Sequence, residues 1–404
     1  MQDLTEQFLG NYREHAGFGF AAESWEVPEI VLATFNQSYA SIRQMGGVLD
    51  GLTIAGMQKN CRAAMAEIFA LMSKQCVDDF EIRFLQELQN ACARLLSEDT
   101  AWYTKPSRSH FVKLGGERER QDAMLMQVER HYFGRLPLGA VDEIRNLGAR
   151  ELDQFRVNAA AGKLTREDLS TNAGPTVRAI RAVLNREFKS LGVLDAVSAY
   201  SGRKTRVIGL ALELSLPQAT WWNNAIQGLG RPPKTLYAHL DEGISFPKSI
   251  VYLTDVTEQT GPTGCYPGAY EAMHLNPLQE IIGRVVGTVG NAADSPLKAY
   301  YAKQYHQSMN SERFRQHFMR LPEILRFNSH MGWDVAPGSD LETSLADSER
   351  KMTGPAGTFI VFDGARLLHR GGLMQKGERV ALQVIFSDLT PVERALGKVK
   401  RVLL

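Results

Sequence analysis

The chain has 404 residues, 44% hydrophobic and 23% charged, which excludes a largely disordered or fibrous protein and leaves room for one large domain or two modest ones. Its 46 Lys and Arg nearly balance 45 Asp and Glu, so a net charge of +1 gives no global field to draw it onto nucleic acid or an anionic membrane, and the expected partner is a small molecule. The four cysteines (Cys61, Cys76, Cys92, Cys265) form no C-x-x-C pair, the first residues lack a basic segment leading into an apolar run, and no stretch of about 18 apolar residues occurs, so a reducing, cytoplasmic location without a membrane span is expected.

From about Pro28 to Glu98 apolar residues recur at helical spacing. Ile54, Met57, Cys61, Ala64, Met65, Ile68, Leu71 and Met72 make one stripe, and Phe80, Phe84, Leu85, Leu88, Cys92 and Leu95 another. Such Met-containing stripes are core packing before they are binding surfaces. Further helical patterns cover Val141 to Ala161 and Thr176 to Ala199, so residues 1–200 are predicted to be a mainly helical N-terminal region.

The period then changes to two. Ile208, Leu210, Leu212 and Leu214 alternate with their neighbours, and strand patterns follow around His239, at Ser249 to Val256 and at Cys265 to Tyr270, separated by Gly/Pro turns. The pattern lapses over residues 271–354, where Pro277 to Val289 and Pro296 to Arg326 have helical spacing, and resumes at Gly357. The predicted class is α+β: residues 201–404 form a jelly-roll (double-stranded β-helix, cupin-like) domain whose helical insert 271–354 packs over its mouth.

His239 and Asp241 stand two apart in what reads as a strand, and such side chains leave the same face. His369, on a distant strand, is the candidate third ligand, and two histidines with one carboxylate, leaving open positions, form the facial triad of non-haem Fe(II) oxygenases. The bland alternative is a hydrogen-bonded His/Asp pair beside a core histidine. Ten residues past His369, Arg379 opens a strand on the face shared with Ala381, Gln383 and Ile385. A guanidinium enclosed there needs a carboxylate, which the distal end of a 2-oxo diacid or an internal acidic side chain could supply. Gly371 and Gly372 would let backbone approach a ligand closely, or only make a turn. Tyr237 shares the face of His239 and is a candidate to line the cofactor pocket; Trp222, His330 and Trp333 are candidates for substrate contact. His274, His306 and His317 read as surface or core residues, and the charge clusters Glu117 to Arg120 and Lys398 to Arg401 as solvated faces.

The series His239-x-Asp241, Val251-Tyr-Leu-Thr-Asp-Val-Thr-Glu-x-x-Gly-Pro-Thr-Gly264, Pro267-Gly268, Phe362-Asp-Gly-x-x-Leu-Leu-His369-Arg-Gly and Arg379 resembles the phytanoyl-CoA dioxygenase family of Fe(II)/2-oxoglutarate-dependent oxygenases. The likeness spans about residues 205–390. It implies a double-stranded β-helix, Fe(II) on His239, Asp241 and His369, 2-oxoglutarate on Arg379, O2 as oxidant, and hydroxylation of a small molecule with release of succinate and CO2. Where the family has Pro-Gly-Ser-His, this chain has Pro267-Gly-Ala-Tyr270, which bears on the substrate. The aspartate at 241 argues against the halogenating members, which carry a small residue there. The competing readings are a jelly-roll protein that holds a metal and binds or senses a small molecule, and a metal enzyme that does not use 2-oxoglutarate. The substrate and the oligomeric state stay open, a homodimer being one option.

Overall fold

The structure is a computed structural model that describes residues 3–7, 23–45, 51–104, 114, 116–219, 234–236, 238–241, 247–285, 317–333 and 335–388. Helices α1 (Glu29–Met45), α2 (Gly51–Ser73) and α3 (Asp79–Thr104) carry the first two apolar stripes. Ile54, Cys61, Met65, Ile68 and Met72 of α2 and Phe84, Leu85, Leu88 and Cys92 of α3 are buried in one core. His317 packs there too, its ring 4.7 Å from Phe80 and 5.5 Å from Phe84. Then follow α4 (Glu117–Val128), α5 (Leu138–Ala160), α6 (Gly174–Ser190) and α7 (Val193–Ser201). One continuous helix is expected over Thr176 to Ala199; instead Gly192, at φ 77°, separates α6 from α7. That left-handed backbone favours glycine, which carries no Cβ to clash.

Two antiparallel sheets form the β layer. Six strands run in the order β1 (His131–Arg135), β7 (Thr358–Phe362), β4 (Lys248–Tyr252), β9 (Arg379–Ser387), β3 (Arg206–Ser215), β2 (Ser170–Thr171). Three more run β6 (Arg350–Met352), β5 (Thr263–Tyr266), β8 (Leu368–Arg370). The outer face of the larger sheet packs on the helices: Phe359, Val361, Val251, Leu382 and Phe386 join the main core, and the Phe188 ring of α6 lies 5.3 Å from Phe359 and 5.6 Å from Phe386. The alternate residues Tyr252, Ile360, Phe362 and Ala381 face inward and meet Cys265 and Met352 of the smaller sheet in a second core. By the same alternation Lys248 shares the inner face with Ile250 and Tyr252, and Arg379 with Ala381.

Further features depart from the sequence reading, among them the strand expected over Cys265 to Tyr270, which ends at Tyr266 and gives way to a helical turn at Ala269–Ala272. Residues 131–135 lie within the predicted helical region, yet pair with β7 along its whole length, His131 opposite Phe362 and Arg135 opposite Thr358. Gly134 permits this, because a Cβ there would come within 2.2 Å of the Phe359 ring. The stretch around His239 is not a strand: residues 234–236 form a turn, and His239 makes a single antiparallel bridge to His369. The insert 271–354 is not wholly helical. It contains α8 (Pro277–Val285) and α9 (Asp340–Ser348) but ends in β6, and most of the predicted helix 296–326 lies outside the described residues.

No helix among the described residues is long and apolar enough to cross a membrane. The four cysteines are free thiols.

Candidate metal centre

Each of the three candidate ligands reaches the site from a different kind of support. His369 lies on β8, where strand alternation turns its ring inward against Phe362 at 4.7 Å. The bridge His239 N–H to His369 O, 2.8 Å, and its return, 3.1 Å, hold the two histidine backbones side by side. Asp241 is tied by its own N–H to the Gly364 carbonyl at 2.7 Å. One ligand atom from each of His239, Asp241 and His369 lies within 4.8 Å of the others. His239 Nε2 is 3.9 Å and His369 Nε2 3.8 Å from Asp241 Oδ1.

Four observations fit this set to a divalent metal. His369 Nδ1 donates to the Leu367 carbonyl at 2.9 Å, which fixes the tautomer and leaves Nε2 as a free lone pair towards Asp241. Burial, with help from His239, pushes the His369 imidazole down to about 3, so it is neutral at physiological pH. Burial works against the charged form of Asp241, but Lys248 above all, then His369 and His239, outweigh it and hold the carboxyl well below the usual carboxylate range. Asp241 Oδ2 is buried with no hydrogen-bond partner among the described residues, an unmet acceptor that a cation would satisfy.

Two residues of this centre were missed from the sequence. Lys248 Nζ lies 2.6 Å from Asp241 Oδ1. Its signal was a cation on the strand face shared with Ile250 and Tyr252. Gly364 is the second: a Cβ there would fall 1.7 Å from Asp241 Oδ2 and 3.2 Å from His369 Cε1. Its signal was the Phe362-Asp-Gly turn. Asp363 shapes that turn, accepting from Tyr200 of α7 at 2.5 Å and from Arg366 at 2.8 Å, so the helical half supports the centre directly.

Of the other candidates, Arg379 is buried at the start of β9. Its guanidinium donates to the Gly261 carbonyl and, at 3.1 Å, to the Ser215 hydroxyl of the facing strand. His330 stacks parallel on His239, ring centroids 4.9 Å apart and planes 3° apart, in a segment that also binds the stretch carrying His239 and Asp241 through Leu240 N–H to Ser329 O and Gly332 N–H to Ala238 O. Gly372 lets backbone approach backbone, since a Cβ would meet the Pro262 carbonyl at 1.9 Å. Trp333 ends a single 3-10 turn and its side chain is outside the described set, as are the whole of Tyr237, Trp222 and His306. His274 is an exposed residue 3.8 Å from Asp3. A surface cleft of about 690 Å³ opens elsewhere, lined by Val128, Arg130, Pro267, Glu271 and Arg350, and none of the three candidate ligands borders it.

No family model and no curated protein matches this chain. Among solved structures it aligns with AviO1 from Streptomyces viridochromogenes Tue57, at 12% identity over 68% of this chain and 97% of that one, TM-score 0.35. It also aligns with SnoN, a non-haem α-ketoglutarate-dependent epimerase from nogalamycin biosynthesis (12% identity, 67% and 84%, TM-score 0.33), and with EctD from S. alaskensis holding 2-oxoglutarate and 5-hydroxyectoine (12%, 70% and 81%, TM-score 0.37).

Proposed function

We propose that the protein is an Fe(II)- and 2-oxoglutarate-dependent oxygenase of the phytanoyl-CoA dioxygenase type, built on a double-stranded β-helix and acting in the cytoplasm on a small molecule. The observation that carries this reading is the convergence of two imidazoles and one carboxylate, His239, Asp241 and His369, with an unmet Asp241 oxygen among them. Two antiparallel sheets enclosing a shared core support the β-helix.

Held by these ligands, Fe(II) would supply O2 activation coupled to decarboxylation of 2-oxoglutarate to succinate and CO2, with hydroxylation of an unactivated C–H bond of the substrate. The protein does the rest. His369, fixed by Leu367, and Asp241, fixed by the Gly364 carbonyl and Lys248, set the positions of two ligands before any metal arrives. Arg379 would take the distal carboxylate of 2-oxoglutarate with its planar fork, and its neighbours Ser215 and Tyr252 would complete that polar pocket. Tyr237 would flank the cofactor, while Trp222, His330 and Trp333 would line the substrate side.

A second reading is favoured by one observation: Arg379 already donates to Gly261 and Ser215, as a purely structural arginine would. On that reading the protein holds a metal and binds a small molecule without turnover. Incubating iron-loaded protein with 2-oxoglutarate and O2 and measuring succinate separates the two. Succinate above the metal-free background is expected; none, from protein holding one iron per chain, would favour the second reading.

A further inference from the structure

Successive residues of a strand face opposite ways, so Arg370 leaves β8 on the side away from His369. Its guanidinium is partly buried and forked onto one carboxylate: Nε lies 2.6 Å from Glu349 Oε1 and Nη2 2.7 Å from Glu349 Oε2. Glu349 reaches this position across β5 only because residue 264 is glycine, a Cβ there falling 2.1 Å from Oε1. The remaining arm of Arg370, Nη1, donates to the Lys234 carbonyl at 2.5 Å and lies 3.4 Å from that of Leu236. Those two carbonyls belong to the turn that delivers His239. On its other side the same turn is held by α9, where Glu342 Oε1 accepts the Lys234 N–H at 2.6 Å.

His239 lies on no strand among the described residues; its stretch is held by the bridge pair to His369, by Leu240 N–H to Ser329 O and Gly332 N–H to Ala238 O, and by these side-chain clamps on the preceding turn. We propose that Arg370, locked by Glu349, is a positioning residue that sets the place of His239 relative to His369. This rests on the metal reading above. The Arg370 fork is a planar, three-point device: two N–H groups fix the guanidinium on Glu349 and the third spends its donors on the turn carbonyls. A lysine keeps the charge but cannot hold a carboxylate bidentately and a turn at once. Among the described residues Arg370 bonds to Glu349 and to the Lys234 and Leu236 carbonyls, so its effect on His239 travels through that turn.

The test measures two quantities on wild type, Arg370→Lys, Arg370→Met and Glu349→Gln. The first is anaerobic Fe(II) affinity, and the second is hydrogen exchange of the backbone amides of residues 234–241 in metal-free protein. The expected result is faster exchange in that segment in all three variants. Fe(II) Kd should rise by roughly 10- to 100-fold in Arg370→Met, the range for loss of a residue that orients a ligand, and by less in Arg370→Lys and Glu349→Gln. A merely structural role would lower the melting temperature and leave Kd and the local exchange unchanged, and that pattern overturns the proposal. If Arg370→Met does not fold, Arg370→Lys and Glu349→Gln carry the same comparison. Wild type that binds no Fe(II) overturns the metal reading and this proposal with it, whereas tight wild-type binding with unchanged variants overturns this proposal alone.

Discussion

At the scale of single residues, the Asp241 carboxylate is held from three directions: its backbone by Gly364, one oxygen by Lys248, and its other oxygen by the space that only a glycine leaves. Gly364→Ala would place a methyl group 1.7 Å from Oδ2, so the carboxylate must move. Fe(II) affinity of that variant is expected to fall by roughly 10- to 100-fold, as when a ligand loses its orienting neighbour, with the fold retained by circular dichroism. An unchanged Kd would mean that Asp241 does not meet the metal in this conformation. Arg379 tests the cosubstrate. Arg379→Lys gives up paired, planar hydrogen bonds, and losing one charge-assisted bond of about 1.5–3 kcal/mol raises the 2-oxoglutarate requirement roughly 10- to 150-fold. Iron affinity should stay the same, since Arg379 is not among the candidate ligands. The reverse pattern would make Arg379 structural.

Elements explain which parts of the site were legible from sequence. Period-two patterns located β3, β4, β7 and β9 because each buries both faces or alternates cleanly between two cores. The His239 stretch read as a strand for the same reason, but its backbone is satisfied by one bridge pair, by scattered bonds to residues 329, 332 and 364 and by side chains, which no local pattern records. Nor could β1 be read: a five-residue edge strand between two helices has too short a period, and its partner lies more than 200 residues away. His131 on β1 gives that element a pH signature. Burial lowers its pKa in the folded protein below the ordinary 6.5, and its Nδ1 donates to the Glu129 carbonyl. The unfolded chain therefore binds a proton below pH 6.5 that the folded chain refuses, so stability is full above that pH and falls as the solution is acidified. The slope from one histidine is at most about 1.4 kcal/mol per pH unit. His131→Gln should flatten the loss of unfolding free energy between pH 6.5 and 5, measured by urea denaturation at each pH; an unaltered slope would show that His131 titrates normally.

For the whole molecule, a buried charge network joins the N-terminal helices to the insert. Arg284 of α8 lies 3.3 Å from Asp99 of α3 and 3.6 Å from Glu280, Glu280 lies 2.9 Å from Arg43 of α1, and Tyr39 donates to Asp99 at 2.8 Å. Arg284 and Asp99 are almost wholly buried, so Arg284→Met would take a cation from both carboxylates, Glu280 keeping Arg43 and Asp99 keeping the Tyr39 hydroxyl. Removing one partner of such a cluster costs about 3–5 kcal/mol, to be read as a lower urea midpoint with an unchanged slope. A loss below about 1 kcal/mol would mean that the carboxylates take up protons at little cost. This network was invisible in the sequence, because Asp99, Glu280 and Arg284 are ordinary polar residues of amphipathic helices until the helices meet. The ligand set was legible for the opposite reason: its residue types are chemically unusual together, and a short spacing joins two of them.

The most direct test of the centre is equilibrium dialysis of anaerobic Fe(II) against wild type and Asp241→Ala. One iron per wild-type chain is expected, with binding in Asp241→Ala weakened to the level of adventitious sites, because the only anionic ligand is gone. Equal affinity and stoichiometry in the two proteins would contradict a metal centre at His239, Asp241 and His369.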